Sequence, residues 1–284
     1  MKVGIVGDAT RGIAWEQHLR PHNIVEQVDL CSSLNELDKV DACLLLDESE
    51  NNLDSLLAAV QQGLNCFFVA KQPTNITKLE KIHRAAREAG SLVQFAQWPS
   101  LAPATRWMMD KIQKPSFIHI GKEVNRNQLI QSNSDFQNLW VDELGLCMKW
   151  VDSGIHHIEA KRITLADNHP TVVHLFLRFD NGATATIYVY AAASENRHLR
   201  IVANKNEILE CNVPNQAVKH GRVSSGERLF FDKQTFDPAK SAEKAALLFL
   251  KSIQLGRETA YSSYDALQLA IQIDRVESRL RKFS

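Results

Sequence analysis

Val3-Gly4-Ile5-Val6-Gly7-Asp8-Ala9-Thr10-Arg11-Gly12 is the stretch on which the fold turns. Its first four residues predict a buried strand, and Gly7 and Gly12 bracket a turn that opens a helix. In dinucleotide-binding folds this is the place of G-x-G-x-x-G, whose glycines give a tight turn, a bare backbone beside the pyrophosphate and close helix packing. Here Ala9 stands at the middle glycine, and Asp8 adds a negative charge beside the phosphate position. The helix start, Thr10 and Arg11 still favour an anion. Gly7, Asp8, Ala9, Thr10, Arg11 and Gly12 are therefore the candidate cofactor-binding turn.

Downstream, such a fold needs an acidic residue about 20 positions on, at the end of its second strand, to hold a ribose. Gly12 and Val40 are 28 positions apart. That span must hold a helix, a strand near 24–28 and a helical turn at 34–37, so one helix and one strand of the usual unit are lost or shrunken. Glu26 and Asp29 are the acids available for the ribose. Further strands are expected at 42–46, 66–69 and 92–96, alternating with helices at 52–62, closed by Gly63, and 77–89, closed by Gly90. Thr77 and Glu80 stand at capping-box spacing. Strand and helix in alternation predict a parallel sheet covered by helices. Asp47, with Glu48 and Glu50, follows the 42–46 strand at its carboxyl end, where such sheets bind ligands; the competing reading is a solvated turn.

Beyond about residue 115 the rhythm changes. Strands are expected at 117–124, 172–179, 183–191, 199–202 and 207–211, with Asp180-Asn181-Gly182 a strong hairpin signal. Consecutive hairpins predict a mostly antiparallel sheet, joined by helices near 142–150, 241–255 and 264–281. The polar stretch 213–239 predicts a long loop. The expected organisation is α/β: a parallel-sheet domain over 1–115 and an α+β domain with an open, mostly antiparallel sheet over 116–284.

Lys plus Arg and Asp plus Glu are both 33, so the formal charge is zero. A dedicated nucleic-acid or acidic-membrane binder would carry a clustered basic excess instead. No apolar run approaches the roughly 20 residues that cross a bilayer, and no signal peptide is indicated. Five scattered cysteines without a C-x-x-C pair fit reduced thiols in a cytoplasmic protein and predict no metal site. Hydrolase and kinase motifs are absent.

Three further segments carry a resemblance. Val69-Ala70-Lys71-Gln72-Pro73 follows a strand, Asp152-Ser153-Gly154-Ile155-His156 is followed by Glu159, and a closing helix at 264–281 follows Tyr261-Ser262-Ser263. With the N-terminal turn, these resemble the Gfo/Idh/MocA family of NAD(P)-dependent sugar and polyol oxidoreductases, through its Glu-Lys-Pro and D-x-G-x-H motifs. The resemblance implies a Rossmann domain followed by an open-sheet domain, and hydride transfer between NAD or NADP and a sugar-like or polyol substrate. His156 would be the acid/base, since a histidine titrates near neutrality. Asp152 would orient it, the two lying on one face if the segment is helical.

The chain departs from the family at the motif lysine. Aligned on Pro73, which the resemblance would place beside the cofactor, Gln72 takes the lysine position and Lys71 the glutamate position. Either Gln72 or Lys71 would polarise the reacting oxygen; in an extended segment the one-residue slip turns Lys71 to the other face. His157, His169 and His174 have no ligand partners at useful spacing. Gln97, Trp98 and Pro99 end a strand, where Trp98 would stack on a sugar ring or pack between domains. The resemblance also implies a homodimer or larger homo-oligomer through the open sheet. Losses at the middle glycine, the ribose acid and the motif lysine define the alternative: a degenerate ligand-binding or assembly protein on the same scaffold, its NAD(P) site weak or lost.

Overall fold

The computed structural model describes residues 1–46, 48, 49, 51–125, 127, 136–164, 170–223, 228–238 and 241–282. Asp47, Glu50 and His169 lie outside the described residues.

Two compact units emerge. The first combines Met1–Leu101 with Ala239–Ile271 and the second combines Ala102–Pro238 with Gln272–Ser284. A single division at residue 115 therefore does not describe the chain, because a C-terminal helix belongs to the first core.

In the first unit, β1 (Lys2–Gly7), β2 (Gln27–Cys31), β3 (Ala42–Leu46), β4 (Cys66–Phe68) and β5 (Val93–Phe95) form a parallel sheet ordered β2-β1-β3-β4-β5. Helices α1 (Ala9–Leu19), α2 (Asn52–Gln61), α3 (Ile76–Ala89) and the short α4 (Trp98–Leu101) connect or follow the strands. β1 and β3 are buried along nearly their whole length, the pattern of strands covered on both faces. The shortened connection after β2 is a 3-10 turn at Leu34–Glu36, and among the described residues no further strand flanks β2. β2 is thereby an edge, which explains why Leu30 is 42% exposed. The cap of α3 is Asn75, whose side chain accepts from Lys78 N at 3.0 Å, and not the expected Thr77. Gly90 closes that helix at φ 67°, a left-handed position that favours glycine.

The second unit holds α5 (Pro103–Lys111), β6 (Phe117–Glu123), α6 (Phe136–Val151), β7 (Ile155–Thr164), β8 (Pro170–Phe179), β9 (Thr184–Tyr190), β10 (Arg197–Ala203), β11 (Glu207–Asn212), β12 (Ala217–Val223) and β13 (Leu229–Thr235). The strands form one eight-stranded sheet ordered β13-β12-β11-β10-β6-β9-β8-β7. All neighbours are antiparallel except β6 and β9. The stretch read as a loop at 213–239 in fact contains β12 and β13. Its side chains on β13 are all exposed, so the apolar alternation that reveals a half-buried strand is missing.

The last helices, α7 (Ser241–Leu255) and α8 (Ser263–Lys282), close the chain. Ala245, Ala246, Phe249 and Leu250 of α7 join Val3, Ile5, Leu44, Phe67 and Trp15 in one core. No described helix is long and apolar enough to cross a membrane.

Candidate functional site

The strand order reverses between β1 and β3, and ligands of open α/β sheets lie at the carboxyl ends of the strands flanking such a point. A cleft of about 710 Å³ opens there, lined by Gly7, Asp8, Arg11, Ser32, Ser33 and Glu48 among others. Its apolar wall includes Val6, Leu34, Leu46 and Ala58. Gly7 is required. Its φ is 141°, and an added Cβ would sit 3.0 Å from the Leu46 Cβ. Gly12 admits α1 close to the sheet, where a Cβ would meet Leu30 at 3.3 Å. Two of the three fingerprint glycines thus keep their physical role, and Ala9 opens the helix.

The charges around the helix start are arranged differently. The Asp8 carboxylate caps α1, accepting from Arg11 N at 3.0 Å. Across the cleft mouth, the Arg11 guanidinium lies 2.9 Å from Glu48 Oε1 and donates to the Leu46 carbonyl at 3.3 Å. Asp54, also in the lining, holds Lys78 Nζ at 2.8 Å. A like charge about 4 Å away costs ~1–4 kcal/mol between bulk water and a protein surface. Two carboxylates and a guanidinium already committed to one of them do not fit a dianionic diphosphate.

The ribose acids also fall elsewhere. Glu26 precedes β2 and pairs with the N-terminal ammonium at 3.0 Å, at the opposite end of the sheet from the cleft. Asp29 lies within β2 and accepts from the Gln27 amide at 2.7 Å. The group at the carboxyl end of β2 is Glu36. Its carboxylate accepts from Ser32 N at 2.9 Å, from Ser33 Oγ at 3.0 Å and from Ser32 Oγ. These bonds hold it below the usual carboxylate range, led by the Ser32 hydroxyl. Ser33-Leu34-Asn35-Glu36 has the S-x-x-E spacing of a capping box, a sequence signal that could have found it.

Gln72 sits in irregular backbone between β4 and α3, so strand alternation does not govern which way Lys71 and Gln72 turn. Its Nε2 donates to the Pro73 carbonyl at 3.1 Å and to the Ala266 carbonyl of α8 at 3.2 Å. Lys71 is exposed. Gln97 is buried and its Oε1 accepts from Ser100 N at 2.8 Å, while Trp98 stacks on Trp15 with centroids 6.3 Å apart.

Asp152 and His156 are in the second unit, and the segment is not a helix. Asp152 follows the end of α6 at φ 51°, with its carboxylate 3.0 Å from Lys114 Nζ. His156 is the second residue of β7, largely exposed, with Nδ1 3.8 Å from Asp180 Oδ1. Helical spacing therefore does not bring the pair together. His157 faces Glu159 at 3.2 Å. Within α6, Glu143 and Cys147 stand four residues apart on either side of Gly145, the spacing that Asp152 and His156 also have. Cys147 is wholly buried, and burial first, then Glu143, pushes its thiol far above the usual range.

Glu143 anchors a buried cluster instead. Arg200 donates from Nε and Nη2 to its two carboxylate oxygens at 2.9 and 2.8 Å, and from Nη1 to Thr105 Oγ1 at 2.7 Å. His198 Nε2 lies 3.1 Å from Glu143 Oε1. Burial opposes the charge on Glu143, but Arg200 and then His198 more than offset it and hold the carboxyl well below its ordinary range.

No described protein family and no curated protein matches the sequence. Solved structures match the fold over the whole chain. UDP-N-acetylglucosamine 3-dehydrogenase GnnA from Acidithiobacillus ferrooxidans superposes with a TM-score of 0.84 at 12% identity, covering 100% of this chain and 98% of that one. An NAD binding oxidoreductase from Klebsiella pneumoniae gives 0.82 at 12% identity, over 99% and 96%. Levoglucosan dehydrogenase, solved in complex with NADH and levoglucosan, gives 0.77 at 13%, over 99% and 97%. The fold is thus of the two-domain Rossmann-type dehydrogenase kind. At these identities, the likeness is one of architecture.

Proposed function

We propose that this chain is a ligand-binding protein on the scaffold of NAD(P)-dependent sugar oxidoreductases, a catalytically degenerate relative of Gfo/Idh/MocA type working in the cytoplasm. The observation that carries the reading is Gln72. At the position of the motif lysine it carries no ammonium, and its amide is spent on the carbonyls of Pro73 and Ala266.

The second reading is hydride transfer between NAD or NADP and a sugar-like substrate, with His156 as acid/base, Asp152 orienting it and Lys71 or Gln72 polarising the oxygen. The retained close approach at Gly7 favours it. Following absorbance at 340 nm separates the two. NAD⁺ or NADP⁺ with a panel of sugars and polyols, and NADH or NADPH with the matching ketoses, are expected to show no turnover above the uncatalysed rate. Turnover that His156→Asn lowers by about 10²- to 10⁴-fold would establish the second reading.

Assembly follows from the open face of the second sheet. On β9, Ala185, Ile187 and Val189 are buried while Thr184, Thr186, Tyr188 and Tyr190 face the other way, and the two tyrosine rings stack 6.5 Å apart. The same face carries Phe117, Ile163, Ile208 and Phe231, all well exposed. Ile208 and Phe231 close over Gly221, where a Cβ would come within 2.8 and 2.9 Å of them. An apolar surface running across several strands is a binding surface rather than ordinary exterior, and a second copy of the chain is its proposed cover. Light scattering at micromolar concentration is expected to give a dimer or larger; a monomer there would refute this assembly.

A further inference from the structure

The cleft at the β1/β3 switch point has apolar walls, hydroxyls at the end of β2 and an excess of negative charge. Val6, Leu34, Leu46 and Ala58 offer a surface for a flat ring, while Asn35 adds a polar side chain and the Ser32 and Ser33 hydroxyls, whose protons go to Glu36, keep oxygen lone pairs that accept from ligand hydroxyls. Among the described lining residues, Asp8, Glu48 and Asp54 are acidic and Arg11 is the basic one. Lys78 answers Asp54 from outside the lining, and Glu48 answers Arg11 from within it. The places a diphosphate would claim are therefore filled by the chain itself: Asp8 on the first-turn amide of α1, and Glu48 on the guanidinium.

We infer that Asp8 and Glu48 act as built-in competitors for the phosphate seat, so that this cleft takes an uncharged, hydroxyl-bearing ring of nucleoside class in preference to a phosphorylated one. The inference rests on the ligand-binding reading above. Phosphate selectivity is inverted because the helix start retains its partial positive charge, but the carboxylate of its own N-cap already satisfies it. Specificity of this kind comes from repulsion of the wrong ligand as much as from attraction of the right one.

The test is calorimetry on the full chain with adenosine, ADP and NADH as probes. The unmodified protein is expected to bind adenosine at least tenfold more tightly than ADP. Glu48→Gln leaves Arg11 without its anion, and Asp8→Asn keeps a capping oxygen while removing the charge; each is expected to shift the ADP-to-adenosine preference at least tenfold toward ADP. Both substitutions are at exposed positions, so circular dichroism is expected to match the parent fold. ADP or NADH binding as tight as adenosine, no adenosine binding at all, or an unchanged preference in both variants would each overturn the inference. ADP binding without turnover would leave the ligand-binding reading standing, whereas NADH oxidation at 340 nm with a ketose as the hydride acceptor would remove that reading as well.

Discussion

Arg200→Met is expected to destabilise the second unit by about 3–5 kcal/mol, because it strands the Glu143 carboxylate in the core without its two guanidinium bonds. Thr105 loses its partner in the same step. The midpoint of urea unfolding at pH 7 measures the loss, and a shift worth less than about 1 kcal/mol would show that the pair does not hold the sheet to α6. The double variant Arg200→Met with Glu143→Leu is expected to recover most of it, since apolar replacement of a whole buried pair is often neutral. The pH dependence has a definite sign. A carboxyl whose folded pKa is depressed stabilises the fold above its unfolded value of about 4.3 and loses that contribution as pH falls. The unmodified protein is therefore expected to lose stability on acidification below about pH 5, and the double variant to lose less.

Phe249→Ala is expected to cost about 3–5 kcal/mol, the usual range for emptying a fully buried aromatic site. Its ring lies 5.7 Å from that of Phe67 and is completely enclosed. The substitution asks whether α7 is a structural part of the first unit. A fragment ending at residue 115 makes the same point: without Ala245, Ala246, Phe249 and Leu250 it is expected to expose the apolar side chains that they cover and to show no cooperative thermal transition. A stable, cooperative fragment together with a small Phe249→Ala effect would return the division to residue 115.

Much of the architecture was legible in the residues themselves. Gly7 and Gly12 mark a strand-turn-helix: Gly7 takes a φ of 141°, which side chains disfavour, and Gly12 lets α1 approach the sheet. The short span between Gly12 and Val40 foretold the truncated edge of the first sheet, since a chain of that length cannot hold the full unit. Asp180-Asn181-Gly182 named its hairpin through φ preference alone, with Gly182 at φ 84°. Tertiary structure decided the rest. Exposed β13 carried no apolar alternation, and its existence depends on pairing with β12. Whether Asp152 and His156 share a face depended on where α6 stops, a matter of packing rather than spacing. The roles of Gln72, Arg11 and Glu143 were set by partners at Ala266, Glu48 and Arg200, distant in sequence or across a turn. A side chain's type fixes which bonds it can make; only the folded chain determines whether those bonds are left for a ligand or spent on the protein.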